Sequence, residues 1–210
     1  YGQLGLGHNE NSDFPQKIEC LRDIEFVECG YEYAICKSKD KYIYGFGINR
    51  FGTLGIGTSL FSTNSTVKCE NWPNDVVDIK CGAFHTLILT STMDVYSCGN
   101  NDCGQLGRET ADNTNLIPHK IDYGAEIVRI ECGYHHSMCI DVCGDLILCG
   151  LNQFGQLGLG NTENQRKPMQ HPSLKDIVDF SRSSWSTFVK TSNNEIYAFG
   201  YNYYSLLGIE

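Results

Sequence analysis

Short apolar runs alternate with polar and glycine-rich turns along the whole chain, and no stretch sustains the 3.6-residue period of an amphipathic helix. Ile127–Cys132 alternates in its second half; Ser137-Met138-Cys139-Ile140 follows, then a turn at Asp141–Gly144, then Leu146–Cys149. Such runs, β-branched or aromatic and bounded by Gly, Asn and Asp, predict short strands joined as hairpins. Ser38–Lys41, Ser91–Asp94 and Ser192–Asn194 hold the equivalent hairpin place. The stretches 8–14, 58–66, 108–117 and 161–167 read as polar connections.

The pattern repeats. Gly2-Gln3-Leu4-Gly5 recurs as Gly52-Thr53-Leu54-Gly55, Gly104-Gln105-Leu106-Gly107, Gly155-Gln156-Leu157-Gly158 and, weakened, Ser205-Leu206-Leu207-Gly208, at spacings of 50, 52, 51 and 50 residues. Two further elements keep that period. One is Val27-Glu28-Cys29-Gly30, Ile79-Lys80-Cys81-Gly82, Ile130-Glu131-Cys132-Gly133 and Phe180-Ser181-Arg182-Ser183; the other is Tyr44–Gly47, Tyr96–Gly99, Leu148–Gly150 and Tyr197–Gly200. A unit of about 50 residues holding several strands predicts an all-β fold of propeller blades. The 210 residues form one array, with repeats near 2–51, 52–103, 104–154 and 155–204 and the next turn starting at 205–210. The turn leucines Leu54, Leu106 and Leu157 are expected to anchor their loops between blades, and the turn Gln to satisfy loop backbone groups.

Composition then sharpens the picture. Nineteen of the 22 glycines fall at repeat positions, so they read as architecture and not as a phosphate-binding loop. A net charge of −9 argues against nucleic acid as a direct partner and against an anionic membrane surface. No apolar run approaches the length of a membrane-spanning helix, and Tyr1 in place of an initiator Met is read as the sign of a fragment.

The unit Cys-Gly-x-x-His-Ser/Thr, hairpin, aromatic-Gly-x-Asn-x-x-Gly-Gln-Leu-Gly-x-Gly resembles the repeat of the regulator of chromosome condensation family. Residues 132–160 carry it almost throughout, in Cys132, Gly133, His136, Ser137, Gly150, Asn152, Gly155, Gln156, Leu157, Gly158 and Gly160. The resemblance implies blades of four antiparallel strands from a seven-bladed ring. Four repeats are an incomplete ring, since seven at this spacing need roughly 350 residues. The chain departs from the family pattern where Cys98 and Cys149 replace a usual Trp. It departs again in the fourth repeat, which reads Arg182-Ser183-Ser184-Trp185-Ser186 in place of Cys-Gly-x-x-His. That repeat is either degenerate or the place where a specific contact was built.

No catalytic, cofactor or metal constellation emerges. The 11 cysteines contain no Cys-x-x-Cys pair, and eight occupy repeat-equivalent places where Cys serves as a small buried apolar residue. Their unpatterned count fits a reducing, intracellular setting, nuclear or cytoplasmic, with Cys143 as the one exposed thiol. His85 and His136 share a repeat position and read as buried histidines satisfying backbone groups. Asp23, Asp75, Glu126 and Asp176 recur before the first strand, too far apart for paired acid–base work. Nucleotide-binding loops and a serine nucleophile elbow are missing from the sequence.

Positions that vary between repeats are ones the architecture does not need. Tyr31, Ala83, Tyr134 and Ser184 form one such set; Glu32, Phe84, His135 and Trp185 form the next. Tyr31, Glu32, Phe84, Tyr134, His135 and Trp185 are therefore the candidate rim for a protein partner. Three readings stay open at this point: a non-enzymatic interaction platform, an exchange factor for a Ran-like GTPase as the family's founding member implies, and the substrate-recruiting module of a larger ubiquitin ligase or signalling protein. The founding member's exchange activity depends on a wedge in one blade's turn, and the turns here are ordinary apart from Tyr203–Gly208. Open blade faces and strand edges also predict self-association.

Overall fold

A computed structural model describes residues 1–110 and 115–208. Residues 111–114 of the 108–117 connection and the last two residues of the turn expected at 205–210 lie outside the described residues. The chain is all-β. In the first sheet β1 (Ile24–Cys29), β2 (Tyr33–Ser38), β3 (Ile43–Ile48) and β4 (Ser62–Lys68) pair in sequence order. The second holds β5 (Val76–Cys81), β6 (His85–Thr90), β7 (Val95–Gly99) and β8 (His119–Ile121). The third holds β9 (Ile127–Cys132), β10 (His136–Asp141), β11 (Leu146–Gly150) and β12 (Gln165–Gln170). The fourth has three strands among the described residues, β13 (Ile177–Arg182), β14 (Ser186–Thr191) and β15 (Ile196–Gly200), where four were expected. Every pairing is antiparallel, and β1, β5, β9 and β13 lie consecutively side by side as the inner strands of an arc of blades.

Local chemistry sets each blade. The β2–β3 type hairpins close through one left-handed residue at equivalent places: Lys41 (φ 67°), Met93 (φ 61°), Gly144 (φ 80°) and Asn194 (φ 67°). The recurring acids brace these hairpins with their backbone carbonyls. Asp23, Asp75, Glu126 and Asp176 accept the amides of Lys39, Ser91, Val142 and Ser192 at 2.8–3.0 Å. In the Gly-x-Leu-Gly turns the organising side chain is the Asn five residues before the Leu. Asn49, Asn101, Asn152 and Asn202 accept the amides of Leu54, Leu106, Leu157 and Leu207 at 2.8–3.0 Å. An Asn side chain thereby replaces a backbone partner that the turn cannot supply.

The cores lie between blades. Tyr33, Ile35, Ile43 and Leu54 pack on Val76, Ile79, Cys81 and Ile88. Leu87, Leu89 and Val95 pack on Ile127, Ile130, Cys132 and Cys139; Met138, Ile140, Leu146, Leu148 and Leu157 pack on Ile177, Phe180 and Val189. Leu54, Leu106 and Leu157 are fully buried, whereas Leu4, with no preceding blade beside it, is exposed. Missing neighbours among the described residues bare two other positions, Val27 with no blade before it and Ile196 with none after it. Val27 is 57 % exposed while its equivalents Ile79, Ile130 and Phe180 are 0, 1 and 7 % exposed. Ile196 is 72 % exposed while Ile43, Val95 and Leu146 are 4, 1 and 0 % exposed.

The cysteine expectation needs correction for the same reason. Cys81 and Cys132 are buried against the preceding blade, where Cys132 Sγ lies 3.3 Å from the Lys80 carbonyl. Cys29, at the same repeat position, is exposed, and so is Cys20; Cys143 is one of three exposed thiols, not the only one. No group of His, Cys, Asp and Glu among the described residues is arranged to hold a metal ion. No helix among them is long and apolar enough to cross a membrane.

Candidate interaction surface

The loops joining β1 to β2, β5 to β6, β9 to β10 and β13 to β14 all emerge on one rim, and hydrogen bonds within the fold hold their bases rigid. His85 and His136 sit there, fully buried. Each binds a hydroxyl on the next blade: His85 Nε2 lies 3.0 Å from Ser137 Oγ, and His136 Nε2 lies 3.2 Å from Thr187 Oγ1. Those hydroxyls donate onward to the carbonyls of Gln105 (2.7 Å) and Gln156 (2.8 Å) in the turns. Their hydrogens are thus committed, so each Nε2 is the donor, and each Nδ1 is left without a partner. Burial pushes both imidazole pKa values down to about 3, so both rings are neutral at physiological pH. In the first blade Tyr33 does the same work. Its hydroxyl donates to the His85 carbonyl (2.6 Å) and lies 3.1 Å from Thr86 Oγ1, which donates to the Thr53 carbonyl (2.8 Å). The histidines therefore reach backbone only one step later, through the neighbouring blade, and not directly as expected.

This relay explains the Cys-Gly-x-x-His spacing. A Cβ on Gly82 would stand 2.1 Å from His85 Cε1, and one on Gly133 would stand 1.9 Å from His136 Cε1. The imidazole lies flat on the glycine, so the two positions are coupled. The fourth repeat changes both together, to Ser183 and Ser186, where the small hydroxyl leaves room for a Cβ and bonds the Tyr201 carbonyl of its own blade. Its third change, Cys to Arg182, makes a new tie. Arg182 Nε lies 3.2 Å from Glu131 Oε1 and Nη2 lies 3.5 Å from the Cys81 carbonyl, two blades away. Beside it, Glu28 has its pKa raised, chiefly by burial, with Lys80 opposing.

Above the relay the rim side chains touch in one continuous series. Tyr31 meets Phe84 (5.9 Å between ring centroids) and reaches past Ala83 to Tyr134 (5.7 Å), both edge-on. Tyr134 meets His135 edge-on and stacks on Trp185, each at 4.8 Å. The structure thus brings together Tyr31, Phe84, Tyr134, His135 and Trp185 from four blades; Glu32 joins no ring. Burial lowers the His135 pKa and raises that of Tyr134. Sequence reasoning missed the turn aromatics that extend the series. Phe51 contacts Phe84 at 5.7 Å, Phe154 contacts Trp185 at 5.6 Å and Tyr201 at 5.0 Å, and Tyr201 stacks on Tyr203. Their signal was available: Phe51, Cys103 and Phe154 precede the turn glycine at one repeat position, where the residue type varies as it does in the rim loops.

The repeat signature and the blades agree with a comparison to known families. The regulator of chromosome condensation (RCC1) repeat matches residues 1–36, 40–89, 94–140 and 144–189, and a second form of that repeat matches 76–105. The chain belongs to the RCC1 repeat family. It is 32 % identical over 214 residues to the ultraviolet-B receptor UVR8 of Arabidopsis thaliana, covering 99 % of this chain and 48 % of that protein. It is also 32 % identical over 215 residues to the human E3 ubiquitin-protein ligase HERC2, covering 99 % of this chain and 4 % of that one. The chain thus spans about half the length of the first of these relatives and a small part of the second. Among solved structures, human WBSCR16 superposes with a TM-score of 0.76 at 24 % identity, over 86 % of this chain and 50 % of that one. Yeast RCC1 (Prp20), solved bound to Kap60, superposes with a TM-score of 0.76 at 21 % identity over 88 % and 47 %. The fold is that of the RCC1 propellers, and the chain is a propeller domain of the kind found in interaction and regulatory proteins.

Proposed function

We propose that this domain is a non-enzymatic platform, acting inside the cell, that binds a protein partner through the aromatic rim. The observation that carries the reading is the unbroken ring series from Phe51 to Tyr203, which spans all four blades and leaves Tyr31 61 % and Phe154 41 % exposed. Large rigid aromatics held on a braced base are the side chains that dominate protein–protein contacts, because they bury much area for little lost conformational freedom. The surrounding architecture supports the same reading, since the polar groups that recur from repeat to repeat are largely consumed by the fold itself. The relatives are consistent with it: their names describe a receptor and a ligase, and the yeast homologue was studied for binding to Gsp1p and histones.

The test compares affinity capture by the tagged protein with that by Tyr31→Ala/Trp185→Ala and by Tyr42→Ala, which alters the opposite rim. Proteins captured reproducibly are then purified and titrated by calorimetry. Binding that is weakened at least tenfold by the double variant and unchanged in Tyr42→Ala supports the rim. Equal binding by all three overturns it. A nucleotide-release assay with a Ran-type GTPase separates the exchange-factor reading: acceleration well above the spontaneous rate would replace the platform.

A further inference from the structure

The junctions between blades are near-copies of one another, so a side-chain network present at only one of them stands out. Between the second and third blades, Asp102, Asn100, Gln105 and His135 are joined end to end. Asn100 Nδ2 donates to Asp102 Oδ2 (2.8 Å), while Asn100 Oδ1 accepts the Asp102 amide (3.2 Å) and Gln105 Nε2 (2.5 Å). Gln105 Oε1 accepts the Cys103 amide (3.0 Å), and Gln105 Nε2 lies 3.4 Å from His135 Nδ1. The chain has one direction. A carboxylate only accepts and a backbone N–H only donates, so Asp102 orients Asn100, and Asn100 with the Cys103 amide orients Gln105. Gln105 therefore offers His135 a hydrogen, Nδ1 must accept it, and the ring's own proton stays on Nε2. The other junctions lack these groups. The places of Asn100, Asp102, Gln105 and His135 are held by Ile48, Arg50, Thr53 and Phe84 at the first junction. At the third they are held by Leu151, Gln153, Gln156 and Trp185, and there Gln156 Nε2 is left without a partner.

His135 is also a wedge in the aromatic series. It stands edge-on to Tyr134 (4.8 Å) and contacts Phe84 (6.1 Å) and Trp185 (6.3 Å). A proton added to Nδ1 would set two N–H groups head-on across the 3.4 Å contact with Gln105. Gln105 cannot turn over to meet it, because its oxygen would leave the Cys103 amide and its nitrogen would leave Asn100. The imidazolium must swing out instead, withdrawing from Tyr134, whose ring stacks on Trp185 at 4.8 Å.

Few charges bear on the ring. From the turn comes Asp102, with Arg166 bonded to the Asn101 and Asp102 carbonyls, and with a Cys103 thiol whose pKa is raised by burial. Tyr134 flanks it with Glu32 beyond, Phe84 and Trp185 bring no charge, and the buried His85 and His136 are neutral. Burial outweighs the attraction of Asp102 and holds the His135 pKa below the ordinary imidazole value, so its proton arrives only in acid solution.

Resting on the rim reading above, we propose that Asn100 and Gln105 are positioning residues that hold His135 as its Nε2–H tautomer, and that proton uptake by His135 breaks this chain and opens the rim between Tyr134 and Trp185.

The experiment is an NMR titration of the nitrogen-labelled protein from pH 7.5 to about pH 4.5, with the His135 signals identified by their loss in His135→Phe. At pH 7.5 the His135 proton is expected on Nε2, with a ring-to-ring Overhauser contact between Tyr134 and Trp185. That contact should fade in step with His135 protonation, and should persist throughout in His135→Phe, which copies Phe84. Gln105→Glu supplies an acceptor for Nδ1–H and should raise the proton affinity of His135 at least tenfold. Asn100→Leu, which copies Leu151, is the second variant; it frees Gln105 to turn over and should leave both His135 tautomers populated in a folded protein. An Nδ1–H tautomer in the native protein overturns the proposal. So does an affinity change under twofold in Gln105→Glu, a single tautomer in folded Asn100→Leu, or a Tyr134–Trp185 contact indifferent to the titration. If a captured partner depends on Tyr31 and Trp185 but binds equally well on both sides of the His135 titration, the proton control falls and the rim reading stands. If the titration behaves as expected while partner binding ignores Tyr31 and Trp185, the rim reading falls and the hydrogen-bonded chain stands.

Discussion

Gly133→Ala is expected to be among the most damaging single-methyl additions in this protein, and His136→Ser is expected to rescue it. The added Cβ would lie 1.9 Å from His136 Cε1, 2.3 Å from Nδ1 and 2.5 Å from Nε2, so the imidazole must leave its place. The ring is fully buried, and displacing it breaks the bond to Thr187 Oγ1 that links the third blade to the fourth. Overpacking a tight core costs about 1–3 kcal/mol. A lost buried hydrogen bond adds about 1 kcal/mol. The expected loss is therefore about 2–4 kcal/mol. His136→Ser alone opens a cavity and loses the bond, yet once it is present the Ala methyl has room, as Ser183 and Ser186 already show in the fourth blade. The two changes should then couple by about 2 kcal/mol in the favourable sense. Urea denaturation of the two single variants and the double variant, read by circular dichroism at pH 7, measures each quantity. A Gly133→Ala penalty under about 0.5 kcal/mol, or penalties that simply add, would refute the steric account of the Gly-x-x-His spacing.

Other expectations follow from the same contacts. The pKa values of His85 and His136 are lowered to about 3, so the unfolded chain binds more protons than the folded one once pH drops below the ordinary imidazole value. Their contribution is complete above about pH 6.5 and is lost as pH falls toward 3, at up to about 1.4 kcal/mol per pH unit for each ring; urea midpoints against pH should show this, with a shallower slope in His85→Tyr, which copies Tyr33. Lys41→Gly and Met93→Gly should each raise the melting temperature by relieving a left-handed backbone, worth up to about 1 kcal/mol apiece; no rise in either variant would count against the assigned hairpin geometry. With Ellman's reagent, Cys20, Cys29 and Cys143 should react in the native protein, whereas Cys98 and Cys139, whose pKa values burial pushes up to about 12, should react only on unfolding. The 210-residue chain should self-associate through faces bearing Val27 and Ile196, and a strictly monomeric mass by light scattering at high concentration would refute that.

What the sequence determined alone is whatever repeats locally. The Gly-x-Leu-Gly turns, the hairpins and the strand runs at a period near 50 residues were enough for an all-β array of propeller blades, because a turn or strand needs only neighbours a few residues away. The variable loop positions were legible too, by contrast with the repeat around them. What only the tertiary structure decided depends on residues one repeat apart. Whether Cys29 or Cys81 is buried turns on the presence of a blade beside it. That His85 bonds Ser137, and not its own backbone, depends on how the next blade is set against it. Tyr31 and Tyr134 touch because Ala83 leaves the space between them open. Gln105 and Gln156 are the same residue in the same motif, yet one amide is satisfied and the other is not, because Asn100 and His135 have become Leu151 and Trp185. Local patterns fix the elements; packing between blades, where burial and hydrogen bonding act across about 50 residues of chain, fixes which side chains are free to bind.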